Sequence, residues 1–142
     1  MKKILVIFVW QLISLGYAVA QTFPDKPVKI VVPYTPGGAT DTLARSIANQ
    51  LSTKWNRPVL VDNRGGASGM IGAEFVAKAP PDGYTLMISD SAPYVILPNF
   101  YPNLNYVPLK DFAPITVIAR QAPIIVISNK IPVSNIKELV AY

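Results

Sequence analysis

The fold is decided by residues 26–51, which read KPVKIVVPYTPGGATDTLARSIANQL. The first part is an apolar run rich in β-branched side chains, which suits a buried strand. A Pro-Gly-Gly turn ends the strand, because glycine adopts backbone angles that other residues resist. Leu43, Ile47 and Leu51 then recur every four residues and form one apolar helical face. The stretch therefore predicts a strand, a tight turn and a helix.

The turn between strand and helix has two interpretations. A strand that enters a helix through Gly37 and Gly38 leaves backbone N–H groups free, and these form an anion site without a cationic side chain. Alternatively, the glycines serve only the geometry of a common turn. Asp41 also has two interpretations. It caps the helix and compensates the helix dipole, or it holds the loop so that the two glycine amides point outward.

Length and composition exclude several classes of chemistry. The chain has 142 residues, of which 51% are hydrophobic, enough for one small domain or part of a larger one. It contains no cysteine and no histidine. Disulfides, thiol chemistry and histidine-dependent catalysis within this chain are therefore excluded, and carboxylate chemistry becomes less favoured.

Residues 1–20 are predicted to be a secretory signal peptide. Lys2 and Lys3 precede an apolar segment, residues 4–15, and residues 18–20 read Ala-Val-Ala, the small-x-small cleavage pattern. We therefore predict export and cleavage before Gln21. The apolar segment is short for a membrane span, and an uncleaved anchor is the alternative. The basic residues elsewhere are scattered, so nucleic-acid binding has little support.

The following segments alternate between strand and helix patterns. We predict strands over residues 59–61 and 84–89 and a second helix over residues 68–79. With the opening stretch, this order predicts an α/β fold with a parallel sheet and flanking helices. Ligands of such sheets lie outside the carboxyl ends of the strands. The loops after the three strands are therefore predicted to meet at one edge.

The remainder of the chain is less regular. Residues 94–114 predict short helical turns and an ordered loop, and the apolar runs 115–119 and 124–127 predict one bent strand or two. Ser134 is predicted to cap a final helix. That helix has barely begun at Tyr142, which indicates a chain that stops early.

Local motifs give weak signals by themselves. The second helix begins with G-x-x-G-x-x-G, whereas a dinucleotide site needs G-x-G-x-x-G, so no cofactor is predicted and the glycines allow close packing. Arg64 either binds a carboxylate or is simply solvated. Ser68, Ser89 and Ser91 offer hydroxyl donors but have no basic partner beside them. Tyr34 either lines a ligand cleft or packs in the core or on the surface.

Four motifs in sequence carry a resemblance to a known family. They are P-G-G-x-x-D at residues 36–41, N-R-x-G-A-x-G-x-x-G at 63–72, P-D-G-Y-T at 81–85 and L-K-D-F-A-P at 109–114. In this order and spacing, they closely resemble the Bug-type periplasmic substrate-binding receptors of tripartite tricarboxylate transporters. The resemblance extends over about residues 22–142.

The resemblance implies an exported solute-binding receptor rather than an enzyme. It implies a type II periplasmic-binding fold of two lobes, which closes around a small carboxylate and delivers it to a membrane permease. Residues 21–122 then correspond to an incomplete first lobe and residues 123–142 to the start of the second, so the chain is expected to bind weakly or not at all. The alternatives are an interaction fragment with exposed apolar surface, or an α/β enzyme using Asp41 or Asp90.

Matching motif positions also imply a ligand site without metal or cofactor, held by backbone amides, hydroxyls and water. The implied residues are Pro36, Gly37, Gly38, Asp41, Asn63, Arg64, Gly65, Ala67, Ser68, Gly69, Ser89 and Asp90. One departure concerns residues 65–69, which read GGASG where the family usually has Pro-Gly-Ala-Gly-Gly. The backbone freedom of this loop is expected to differ.

Overall fold

The computed structural model describes residues 22–122 and 124–142, and the predicted signal peptide lies outside them. Its centre is a three-stranded parallel sheet in the order β2-β1-β3. The strands are β1 (Val28–Val32), β2 (Val59–Asn63) and β3 (Thr85–Met87). The predicted α/β fold with a parallel sheet is therefore confirmed. The division into two lobes stays a prediction.

The central strand β1 is buried because helices cover both of its faces. Alternate residues of β1 form one apolar cluster with Ala44 and Ala48 of α1 (Ala39–Trp55). The opposite face meets α2 (Met70–Ala77), where Gly72 lies against Pro33. Coverage on both faces explains why the strand reads as a continuous apolar run.

Helix α1 packs through its smallest side chains. Ala44 is completely buried and Ala48 is 3% exposed, whereas the larger residues of the predicted apolar face are only partly buried. The two alanines let the helix backbone approach the sheet closely. The helix also runs beyond the predicted end at residue 51, because its stop signal is Asn56, which adopts the left-handed conformation with φ of 50°.

The predicted second helix begins differently from expectation. A 3₁₀ turn, Ala67–Gly69, precedes α2, and α2 ends at Ala77. Further along, a π-helical turn (Ala92–Ile96), α3 (Leu97–Phe100) and α4 (Pro108–Asp111) confirm the prediction of short helical turns.

The predicted strands over residues 115–119 and 124–127 are wrong. The described residues there have no regular secondary structure and pair with no strand of the sheet. Ile115 is 79% exposed and Val126 is 88% exposed. A β-branched run forms a strand only where another strand's backbone can pair with it, and none of the described strands lies beside this segment. The composition of the segment does not reveal whether a pairing strand lies beside it.

The final helix, α5, spans Ile136–Ala141, but its predicted cap is wrong. The capping residue is Asn135 rather than Ser134, because the Asn135 side chain accepts hydrogen bonds from the N–H groups of Lys137 and Glu138.

None of the helices in the described parts of the chain is long and apolar enough to cross a membrane.

Gly72→Ala is expected to lower the free energy of unfolding by about 2 kcal/mol, because the new Cβ would lie 2.7 Å from Pro33 Cβ and 3.0 Å from the Arg64 carbonyl oxygen. Gly38→Ala is the matched control. At Gly38, φ is −76° and the nearest atom is 3.9 Å away, so the expected loss stays within about 1 kcal/mol. Denaturant unfolding of both variants measures the difference. Equal losses would contradict the packing interpretation.

Candidate functional site

The three loops that follow the strands meet at one edge of the sheet, as predicted. All three strands run parallel, so their carboxyl ends share this edge. A Cβ on Gly65, in the second loop, would lie 3.3 Å from the Thr35 nitrogen in the first. Tyr34 Oη donates to Asp90 Oδ1 of the third loop at 2.6 Å. We call residues 33–38, 64–69 and 88–91 the loop edge.

A buried carboxylate joins the first two loops. Asp41 is 3% exposed, and its Oδ2 accepts the Gly37 N–H and the Arg45 Nε–H, each at 2.9 Å. Its Oδ1 accepts the Asn63 amide Nδ2 at 2.9 Å. Asn63 Nδ2 also donates to the Tyr34 carbonyl oxygen at 3.2 Å. Asp41 therefore holds the first loop against the end of β2.

These contacts keep Asp41 ionised. Hydrogen bonds from Arg45, from the Gly37 amide and from Asn63 lower the pKa of Asp41 to about 2. Each donor stabilises the charged form, and their combined effect outweighs the cost of burial. Asp41 and Asn63 thus serve as supports for the loops, with their hydrogen-bonding groups already engaged by the protein.

The expectation for the glycine amides is corrected at Gly37. Its N–H donates inward to Asp41, so it does not point outward. Gly38 is the N-cap of α1, and no side chain caps the helix there. The N–H groups of Ala39 and Thr40 have no acceptor within the helix, and none elsewhere in the described residues. The donors open to a ligand are therefore those of Ala39 and Thr40, at the start of the first helical turn.

The second loop has an unusual backbone. Four consecutive residues have positive φ: Gly66 at 129°, Ala67 at 48°, Ser68 at 56° and Gly69 at 95°. Gly69 is buried against Tyr34 and Pro93, whereas the other three are exposed. Gly66 and Gly69 suit these angles, but side chains at the two central positions are strained. The departure from the family pattern at Ser68 therefore carries a conformational cost.

Arg64 has a packing role that the sequence did not reveal. Its guanidinium carbon lies 3.6 Å from the centre of the Phe75 ring, and Nε donates to Asp62 Oδ2 at 2.8 Å. The side chain is thus stacked on α2 and paired with a carboxylate. Direct contact between Arg64 and a ligand stays a prediction.

The third loop is organised by Asp90. Its Oδ1 accepts the Tyr34 hydroxyl and, at 2.8 Å, the Ala92 N–H, while Ser89 Oγ donates to the Asp90 carbonyl oxygen. Burial and the hydrogen bond to Asp90 raise the pKa of Tyr34 well above its usual value. Tyr34 therefore stays protonated and connects the first loop to the third.

Sequence reasoning missed Arg45, which completes the support between the loops. Arg45 Nη2 donates to Asn63 Oδ1 at 3.0 Å while Nε binds Asp41. Its position one helical turn after Asp41 was the available signal, since residues four apart on a helix are neighbours. In residues 22–122 and 124–142, no group of three potential metal ligands comes together.

Comparison with known proteins identifies the family. The model of the tripartite tricarboxylate transporter family receptor, TctC, matches residues 43–142. The chain belongs to this family. TctC proteins are solute-binding receptors and not enzymes, so the enzyme alternative is set aside. BugT of Bordetella pertussis is 37% identical over 86% of the chain, and a protein from the tcbD-tcbE intergenic region of Pseudomonas sp. is 41% identical over 74%.

Solved structures of the same kind share the fold. Rpa4515 of R. palustris with adipate is 39% identical over 84% of the chain, with a TM-score of 0.72. MatC of Rhodopseudomonas palustris with bound malate and the periplasmic binding protein BugD each give a TM-score of 0.61 over 65%. The chain spans 38% of BugT and 40% of the Rpa4515 chain.

Asp41→Asn is expected to destabilise the fold at neutral pH and to flatten the loss of stability in acid. The native pKa is about 2 and the usual value is 3.8, so the contribution of Asp41 is complete above pH 4 and is lost as the pH falls toward 2. Thermal unfolding between pH 2 and 7 measures this. Asp82→Asn, at a carboxylate that is 40% exposed, is the matched control with a smaller effect. Identical pH profiles for wild type and Asp41→Asn would refute the assignment.

Ser68→Gly is expected to raise the free energy of unfolding by about 1 kcal/mol, because glycine removes the left-handed strain at φ of 56°. Ser46→Gly, on the exposed side of α1, should instead lower it by about 0.5 kcal/mol. Denaturant unfolding distinguishes the opposite signs. A loss in both variants would show that Ser68 is not strained.

Proposed function

We propose that the loop edge forms one wall of a receptor site for a small carboxylate, which the full receptor delivers to a tripartite tricarboxylate-type permease. The observation that carries this is the open N-terminus of α1 at that edge. Ala39 is exposed, Gly38 leaves the helix uncapped, and the N–H groups of Ala39 and Thr40 have no acceptor in the described residues. Helix N-termini of this kind bind anions through backbone donors and the helix dipole.

The charges around the edge support binding by amides. Arg45 is engaged by Asp41, and Arg64 by Asp62, so both guanidiniums already have carboxylate partners. A ligand carboxylate therefore gains most from the free backbone donors, with exposed residues of the second loop close beside them. Ser68 and the amides of residues 65–68 supply the other implied contacts, since the Gly69 N–H already donates to the Gly66 carbonyl oxygen.

The relatives support the choice of ligand class and location. MatC binds malate and Rpa4515 was solved with adipate, both of them small dicarboxylates. BugD is a periplasmic binding protein, which agrees with the predicted signal peptide and with export to the periplasm. In a full receptor, the mechanism would be closure of two lobes around the ligand.

The loop edge of this chain covers a ligand from one side, so we propose weak binding, with dissociation constants on the order of millimolar.

A second candidate, an interaction fragment that binds no ligand, is favoured by one observation. The described apolar residues between 115 and 127 are strongly exposed, including Ile124 at 83%. Such a surface suits contact with another protein.

Ala39→Pro tests the binding role of the helix start. Proline suits the first helical position and removes one N–H donor, and the extended backbone of Gly38, with ψ of 171°, accommodates it. We expect NMR titration with malate and adipate to show binding that weakens about tenfold in this variant, because one donor to a charged acceptor is lost. Ala39→Ser, which retains the N–H, is the control.

Two outcomes would contradict the proposal. Equal affinity in Ala39→Pro and Ala39→Ser would remove the helix start from the site. Absence of shifts with either acid, together with concentration-dependent association in sedimentation, would favour the interaction fragment instead.

A further inference from the structure

One edge of the parallel sheet is open. Strand β3 is outermost, and β1 is its only partner among the described strands. The Tyr84 carbonyl oxygen accepts an N–H of β1 at 2.8 Å, and the Ile88 N–H donates to a carbonyl oxygen of β1 at 3.0 Å. Because backbone groups alternate in direction along a strand, those of Thr85 and Met87 face away from β1. In residues 22–122 and 124–142, no backbone group pairs with them.

A strand-forming segment of the same chain also lacks a partner. We call residues 113–130 the arm, and every residue of the arm that the structure describes is exposed. Its first apolar run, residues 115–119, reads ITVIA and is rich in β-branched side chains, which favour strands. Among the described residues, no backbone hydrogen bond joins this run to another segment. The run and the open edge of β3 therefore each lack what the other offers.

The charges of the two segments are complementary. The arm carries Arg120 and Lys130 and no acidic residue, whereas residues 82–90, which contain β3, carry Asp82 and Asp90 and no basic residue. Asp82 is already in an ion pair at 3.2 Å. In the described parts of the chain, neither Asp90 nor Arg120 has a partner within ion-pair distance. These two charges can therefore pair with each other without breaking another ion pair.

The arm of one copy does not close its own β3 edge. Its base is held by Phe112, whose ring packs edge-on against Tyr94 and Tyr106, with centroids 5.3 and 5.7 Å apart. Beyond that anchor the arm is exposed and unpaired while β3 stays open. A second copy supplies both missing parts at once, because each chain carries one open edge and one arm. Reciprocal exchange of this kind gives a closed dimer with two-fold symmetry.

We infer that two copies of this chain form a symmetric dimer in which residues 115–119 of each copy add a strand to β3 of the other. The added strand runs parallel to β3, with Ile115 beside Thr85, because this alignment places Arg120 beside Asp90. In that register the Ile118 N–H donates to the Met87 carbonyl oxygen. The inference goes beyond the proposed function, since it concerns a protein partner and involves no carboxylate ligand.

The exposed apolar surface of the arm is large enough for a stable contact. Seven valine and isoleucine side chains of the arm are each at least 38% exposed. Together they present on the order of 500 Å² of apolar surface in each copy. Reciprocal exchange buries this surface in both copies, together with the surface that each arm covers. The total reaches the roughly 1,200 Å² from which stable interfaces begin.

The opposing interpretation is that the arm stays in solvent or folds onto its own β3. Neither alternative depends on protein concentration, whereas a dimer does. Sedimentation velocity of the 142-residue chain across a concentration series, without ligand, therefore distinguishes them. We expect a monomer–dimer equilibrium with a dissociation constant on the order of micromolar. A chain that stays monomeric up to about 1 mM would overturn the inference and leave carboxylate binding untouched.

A pair of proline variants tests the strand pairing. Ile118→Pro removes the N–H that donates to β3, so we expect dimerisation to weaken at least about tenfold. Val117→Pro is the matched control, because in the same register the Val117 N–H faces away from β3, and its effect should stay within about twofold. Both residues lie outside the sheet of the single copy, which keeps the monomer fold intact. Equal effects of the two prolines would refute the pairing.

A pair of charge reversals tests the alignment. Arg120→Glu places a like charge beside Asp90, so the dimer is expected to weaken about tenfold at low ionic strength. Lys130→Glu makes the same change of charge on the same arm, outside the paired run, and should weaken it about twofold or less. An Arg120→Glu variant that dimerises as well as Lys130→Glu would contradict the parallel register.

Discussion

The arrangement of the loop edge depends on one buried carboxylate. Asp41 accepts donors from the first loop, from its own helix and from the end of β2, so one side chain fixes the relation of three backbone segments. The arrangement is stable because an ionised carboxylate with this many donors gains more than burial costs. The same bonds engage Gly37 and Asn63, which leaves the first turn of α1 as the open surface.

The sequence was sufficient for the regular part of the fold. The β-branched run at residues 28–32 and the four-residue spacing in α1 have meanings that depend little on distant residues. The predicted strands over residues 115–119 and 124–127 were wrong for the complementary reason, since a strand forms only where a neighbouring strand pairs with it. Arg64 was ambiguous because loop cations are stacked, paired or free according to what lies nearby, and the nearby residue is Phe75, on α2.

The sequence predicts where the site lies in the fold, but it predicts the roles of the individual site residues less well. Strand order and direction follow from the alternating pattern, and these put all three loops at one edge. Which amide is free depends on a hydrogen bond of 2.9 Å between Gly37 and Asp41, and no pattern of residue types specifies its direction. The shape of the second loop depends on local backbone angles, and Ser68 adopts a left-handed conformation that its residue type disfavours.

A site built from amides has consequences for how it distinguishes ligands. Backbone donors bind any small carboxylate, so they supply affinity with little selectivity. Selectivity then depends on the few groups at the edge that carry charge and lack an internal partner. Arg64 in the loop edge and Arg45 beside it are already paired with carboxylates, whereas Asp90 has no ion-pair partner among the described residues. The supports around Asp41 keep the amides in position for every ligand alike, so discrimination between acids depends on groups other than those amides.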